Sequence, residues 1–211
     1  FSIIGIKIQQ ELGLSDTQFG ILVATPILTG SISRMFLGIW TDIYGGKVVF
    51  TLVMLLSALG LYLLTTATNY QTILIFALLL GLAGGGFAVG VAYVSSWFES
   101  SKQGTALGIF GMGNVGSAIT SFGAPLLLAS HGWHFVVRVY AVIFVVIAIL
   151  FFALSKEDPK RKARKVNKQD KISISKQLEP LRHLQVWRFS LYYFFVFGAF
   201  VALALWLPMY Y

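Results

Sequence analysis

Cysteine is absent from this 211-residue chain, which excludes disulfide frameworks, thiolate chemistry and cysteine-based zinc sites. Charge is also scarce: Asp, Glu, Lys and Arg supply 11% of residues against 57% hydrophobic and 15% aromatic, with a mean hydropathy of +0.79. Soluble domains carry about 25% charged residues, so this balance points to a membrane protein. Acids are rarest. All eight (Glu11, Asp16, Asp42, Glu99, Glu157, Asp158, Asp170, Glu179) fall in expected turns or loops, and no expected span offers a carboxylate. The chain opens on Phe1 with no signal-peptide pattern before its first apolar run, and it reads as a piece of a longer protein.

The basic residues that are present gather in one place. Eleven of the sixteen Lys and Arg lie between Lys156 and Arg188 with four acids, leaving that segment a net +7 of the chain's +8. Flanked by apolar runs, such a loop follows from the positive-inside bias and does not call for a nucleic-acid partner.

The apolar runs divide into spans of about 20 residues, the length a bilayer requires. Residues 1–8 are too short and read as the tail of helix one. In the next turn Ser15 and Gln18 have capping-box spacing, with Asp16 at the positive end of the helix dipole. Helix two is expected over about Ile21 to Trp40, helix three over Val48 to Thr68 and helix four over Thr72 to Trp97. Helix five follows over Thr105 to Leu128, helix six over Phe135 to Leu154 after the turn Ser130 to His134, and helix seven from Phe189 to Tyr211. The expected organisation is a first bundle over 1–155, a basic loop over 156–188, and the start of a second bundle over 189–211. Lys47, Lys102 and the basic cluster follow helices two, four and six, which makes those turns cytoplasmic and the protein a multi-pass protein of the cell (inner) membrane.

A few residues inside the spans are unusual. Arg34 in helix two has no internal acid to meet, and an unpaired cation at the bilayer centre costs about 2.5 to 3.5 kcal/mol on insertion scales. Two readings are open: the side chain snorkels to the nearer surface, or it faces a ligand, hence an anion. Asn114 is the one amide deep in a span, open to interhelical bonding or to a ligand. Phe87 is open to packing or to a site wall. Gly81 with Gly85, Gly86 with Gly90, and Gly104 with Gly108 are spaced four apart, a pattern that brings helices into contact. The expectation is that helices four and five approach closely and leave a narrow passage for a small flat solute.

Enzyme signatures are lacking. The glycines of Gly111 to Gly116 lie in an apolar helix with no βαβ context, so they are not a dinucleotide fingerprint. His131 and His134 share an interfacial turn without carboxylate or cysteine neighbours, which argues against metal and triad roles. A membrane sensor or intramembrane enzyme is the alternative class; it would call for a soluble output domain or paired catalytic residues at depth.

The segment Gly38 to Lys47 (GIWTDIYGGK) resembles the loop motif of the major facilitator superfamily, in which an acid after helix two helps to lock the cytoplasmic gate. Asp42 takes the acid's place and Ile43 stands where an arginine is usual. Three further pieces, GSISR at Gly30 to Arg34, GLAGGGFA at Gly81 to Ala88 and GMGNVG at Gly111 to Gly116, resemble nitrate/nitrite porters of the NarK type.

The resemblance implies an all-α polytopic membrane bundle, here truncated to the tail of helix one through helix seven. It implies transport of nitrate and/or nitrite by alternating access, without enzyme activity or a cofactor; another small inorganic or organic anion is the alternative cargo. It also implies a monomer in the lipid bilayer, with protons as an open coupling ion. Arg34 would bind the anion, with Phe87 as ring wall, Asn114 as amide, Gly111 beside it, and Tyr193 and Phe197 from helix seven. Asp42, Lys47, Gly85 and Gly108 take gating or structural roles. Gly86 stands where the family often has asparagine, and Phe110 where a small residue is common.

Overall fold

The computed structural model describes residues 2–159 and 178–206. In chain order these form α1 (Ser2–Leu12), α2 (Asp16–Tyr44), α3 (Gly46–Leu64), α4 (Tyr70–Trp97), α5 (Ser100–Gly111), a 3-10 turn (Met112–Asn114) and α6 (Val115–Leu154). A second 3-10 turn (Glu179–Arg182) leads into α7 (Leu184–Trp206). The central part of the basic loop and the last residues of helix seven, including Pro208, lie outside the described residues.

The helix ends follow from identifiable caps. Ser15 Oγ accepts from Gln18 N at 3.3 Å while Gln18 Oε1 accepts from Ser15 N at 3.0 Å, the expected capping box, and it starts α2 at Asp16 instead of Ile21. Asn69 Oδ1 caps α4 by accepting from Thr72 N at 2.9 Å. The expected polar turn after helix two shrinks to Gly45, whose φ of 87° is open to a residue without Cβ. Helix three ends at Leu64, before the expected Thr68, because the Thr65 and Thr66 hydroxyls donate to the carbonyls of Tyr62 and Leu63 and close the chain on itself.

Helix five needs a larger correction. It starts at Ser100 and is broken by the Met112–Asn114 turn, then resumes in α6. Glycines at 111 and 113 lower helix propensity there, and a 3-10 stretch inside a long helix is a usual hinge geometry. Within α6, Gly132 (φ 75°) separates two arms, so the expected turn between helices five and six is present in the narrowest form.

Parallel α2 and α4 make the most extensive interface, with Tyr70 donating to Gln18 O at 3.1 Å at one end and Arg34 to Gly84 O at 3.2 Å further along. Antiparallel α3 packs between α4 and α6. The larger core joins Ile8, Leu22, Leu64, Ile73, Trp133 and Val137 at the end opposite the basic loop. A smaller one joins Leu37, Val49, Val53 and Val89 nearer that loop. Outward faces stay apolar, as in the second arm of α6 with Val142, Val146 and Ile149, which suits a lipid surface.

Glycine does the close packing, but not where expected. A Cβ on Gly81 would lie 2.6 Å from Pro26 O, and one on Gly30 would lie 2.9 Å from Gly81 O and 3.1 Å from Gly84 Cα. One on Gly85 would collide with Ser33 and Leu37, and one on Gly60 would lie 2.8 Å from Leu80 N. These glycines join α4 to α2 and α3. The expected glycine contact of helix four with helix five is corrected: among the described residues Gly104 and Gly108 meet nothing within 4 Å, and the α4–α5 contact runs through Phe110, whose ring fills the notch at Gly90.

Candidate functional site

Arg34 is ten residues before the end of α2, which puts its Cα about 15 Å from that end at 1.5 Å per residue. Side chains lean toward the helix N-terminus, here away from the basic end. Its Nε donates at 3.2 Å to the carbonyl of Gly84 on α4, and its guanidinium carbon lies 5.4 Å from the centroid of the Phe197 ring on α7. The side chain thus reaches across to α4 and does not extend along α2. Phe197 stacks on Tyr193, one turn earlier, with centroids 5.1 Å apart and planes within 8°. A cation within about 6 Å of a ring face is attracted by the ring quadrupole. Arg34 therefore has one edge on a carbonyl, one face on an aromatic ring, and no carboxylate in either contact.

Why Gly84 O comes within reach is a matter of backbone spacing. Gly30 and Gly84 face each other, a Cβ on Gly84 would lie 3.2 Å from Gly30 Cα, and the two helices touch there through main chain. Pro26, one turn before Gly30, lies inside an unbroken α2 with Gly81 opposite it.

Phe87 belongs to a neighbouring wall. Its ring is 5.5 Å from that of Phe110, and both line a cavity of about 580 Å³ with Phe50, Met54, Gly113 and Phe144. Asn114, next to Gly113, has an exposed side chain on the 3-10 turn, and its carbonyl accepts from Ser117 Oγ at 2.6 Å. Gly111 ends α5 with open space where a Cβ would be. The six residues expected at the site thus fall into two groups. Arg34, Tyr193 and Phe197 come together; Phe87, Gly111 and Asn114 lie along the α4–α5 side.

Lys47 and Asp42 flank the Gly45 link at the basic end. Lys47 Nζ donates at 2.9 Å to Ser155 O, the C-cap carbonyl of α6, and sits 4.5 Å from the Phe152 ring centroid. A cation there satisfies an orphan carbonyl and complements the negative end of the helix dipole. Asp42 is exposed on the last turn of α2. Tyr93 reinforces this clamp by packing on Gly46 and donating at 2.6 Å to Lys156 O. Sequence reasoning missed Gly84, Tyr93 and Ser155, since two of the three act through backbone carbonyls that residue type does not reveal.

Comparison with known proteins agrees with this architecture. The sequence profile of the Major Facilitator Superfamily matches residues 1–211. The chain is 43% identical over 224 aligned residues to a Thermus thermophilus protein named "Probable nitrate/nitrite antiporter NarK1", covering 100% of this chain and 49% of that one. It is 36% identical to a "Probable nitrate transporter NarT" of Staphylococcus epidermidis (95% of this chain, 50% of that one). It is 30% identical to a "Nitrite extrusion protein" of Bacillus subtilis (96% and 49%). The chain spans about half the length of the curated relatives it matches. No solved structure matches it significantly. Successive apolar helices with a one-glycine link after α2 set the architecture, and since the family match runs from the first residue to the last, the chain belongs to the major facilitator superfamily.

Proposed function

We propose that the protein carries nitrate and/or nitrite across the membrane by alternating access, the anion binding at Arg34. The observation that carries this reading is the guanidinium at depth, held by a carbonyl and a ring instead of a carboxylate, so its charge is left for a mobile anion. Nitrate and nitrite are planar and weakly hydrated, and a guanidinium offers them a two-donor fork that an ammonium lacks. The names of the relatives support the cargo.

In this reading Tyr193 and Phe197 cover the anion from α7. Phe87 walls the passage, and Asn114 with Gly111 reaches the anion when the Met112–Asn114 turn bends inward. Asp42 and Lys47 act at the gate of the basic end, while Gly85 and Gly108 set helix spacing. Residues 1–155 form one bundle, 156–188 the connecting loop and 189–211 the start of a second bundle, with the site between the two. The working unit is a monomer, and protons are the coupling ion to test against nitrate/nitrite exchange.

The test is nitrate and nitrite flux into proteoliposomes of the full-length protein, with and without a pH gradient. Arg34→Lys should insert normally and lose at least about tenfold in nitrate uptake, because the fork is gone while the charge remains. Wild-type flux in that variant would refute the role of Arg34. Competition by a panel of anions separates nitrate from other small-anion cargo.

A further inference from the structure

A guanidinium has two edges able to present a parallel pair of N–H donors, one formed by Nε and an Nη, the other by both Nη atoms. In this protein the Nε–H of Arg34 is already engaged by Gly84 O at 3.2 Å. Phe197 lies over the group, 5.4 Å from centroid to Cζ. We propose that the Gly84 carbonyl is a positioning group for Arg34, leaving the two-Nη edge as the one fork open to an anion, and that the Gly30–Gly84 backbone contact sets the distance at which it works. The inference rests on the anion-binding reading given above.

Geometry supplies both halves of the argument. A carbonyl can hold Nε only if the α4 backbone lies within reach of a side chain rooted on α2. Such spacing is present because neither Gly30 nor Gly84 has a Cβ: one on Gly30 would meet Gly81 O at 2.9 Å and Gly84 Cα at 3.1 Å. Those are main-chain atoms, which cannot rotate aside, so a methyl group at residue 30 must part the helices by several tenths of an ångström. A hydrogen bond already at 3.2 Å does not survive that displacement.

The predicted consequence is selectivity. An end-on fork held in a fixed plane suits an anion with two coplanar oxygens. A spherical halide accepts from the same donors but has no plane to match, so it depends less on how the fork is oriented. Freeing Nε lets the guanidinium turn and present either edge, which weakens binding of the planar anion and leaves halide binding nearly as it was. Errors of about 1 Å in positioning can cost about a hundredfold, so an effect of tenfold or more is reasonable for this smaller shift.

The experiment measures initial rates of nitrate uptake by the full-length protein in proteoliposomes, with bromide as competitor. Gly30→Ala should raise the KM for nitrate at least about tenfold, keep the maximal rate within about twofold and lower the nitrate-over-bromide preference at least about fivefold. Gly84→Ala, whose Cβ would lie at the less severe distance of 3.2 Å from Gly30 Cα, should fall between that variant and wild type. Gly123→Ala, with nothing within 4 Å of its Cβ among the described residues, makes the same chemical change as a control and should behave as wild type.

Wild-type KM and preference in both Gly30→Ala and Gly84→Ala would overturn the proposal, as would an equal loss in Gly123→Ala. If Gly30→Ala fails to insert, Gly84→Ala decides alone, and an unchanged preference there overturns the proposal. The underlying reading fails differently: wild type then carries no nitrate, or Arg34→Lys carries it undiminished. Loss in Arg34→Lys with no change in the glycine variants removes the positioning role and leaves the anion site standing.

Discussion

Two glycine-rich stretches of similar composition, Gly81 to Gly90 on α4 and Gly104 to Gly116 across α5 and the 3-10 turn, have opposite surroundings. On α4, Gly81, Gly85, Gly86 and Gly90 are all buried, and a Cβ on any of them would press on a neighbouring helix. On α5 no residue is buried, and Gly104, Gly108, Gly111, Gly113 and Gly116 meet nothing within 4 Å among the described residues. Glycine costs about 1 kcal/mol relative to alanine inside a helix. In α4 that cost is offset by close helix contact. In α5 no such contact is present among the described residues, and the helix breaks into a 3-10 turn at Met112–Asn114, between Gly111 and Gly116.

The contrast teaches that spacing of small residues predicts a capacity for contact and not the partner. Gly81 and Gly85 turn toward α2 because Pro26, Thr29 and Ser33 lie there, and Gly86 turns toward Phe50 of α3. Gly104 and Gly108 have the same four-residue spacing without an opposing surface among the described residues.

Substitutions can break this comparison. The largest effect is expected for Gly81→Ala, whose Cβ would lie 2.6 Å from Pro26 O and 2.9 Å from Pro26 Cα, both main-chain atoms. Overpacking of this kind costs about 1–3 kcal/mol or more, and the thermal midpoint in detergent should drop by several degrees. A midpoint equal to wild type would mean that α2 and α4 are not in backbone contact.

Next is Gly90→Ala, which strikes the Phe110 ring, a side chain that can move. We expect a loss of about 1–2 kcal/mol, partly recovered when Phe110→Ala is added. Strictly additive losses in the double-mutant cycle would deny the knob-in-notch contact.

Lys47→Met comes third. It removes the bond to Ser155 O and the favourable charge at the C-terminus of α6, at about 0.5–2 kcal/mol, and Lys47→Arg should retain most of the stability. Equal stability of both variants would reduce Lys47 to a loop charge.

Smallest is Gly104→Ala, expected to be neutral or to stabilise by up to about 1 kcal/mol through helix propensity. A loss there as large as that of Gly81→Ala would sharpen the comparison in the other direction, by showing that the open face of α5 is covered in the full-length protein.

Much of the architecture was legible because bilayer length and charge placement are simple constraints. Ser15, Gln18 and Asp16 announced the start of α2, and the Ser130 to His134 turn announced the break that the backbone makes at Gly132. Boundaries slipped at Ser100, where the Gln103 side chain donates to the Ser95 and Phe98 carbonyls and the helix begins five residues early, and at Leu184, which lies five residues before the expected Phe189. Of the candidate site, Arg34, Tyr193 and Phe197 were named from residue type and resemblance, and they meet. Phe87 and Asn114 lie apart from that group, Phe87 against Phe110 and Asn114 on the 3-10 turn, because position along a helix carries no information about azimuth until the partner helices are fixed.

By itself the sequence determined that the chain crosses a membrane repeatedly, where its basic loop falls, and that Arg34 lies well inside a span without an acid. Those properties are additive along the chain: hydropathy, charge and helix length do not depend on which helix lies beside which. Only the tertiary structure decided that the glycines of α4 mainly serve α2 and α3 while α5 meets α4 through Phe110, and that Arg34 spends its Nε–H on Gly84. Both depend on main-chain atoms brought together from distant parts of the sequence, and a carbonyl oxygen has the same identity at every residue.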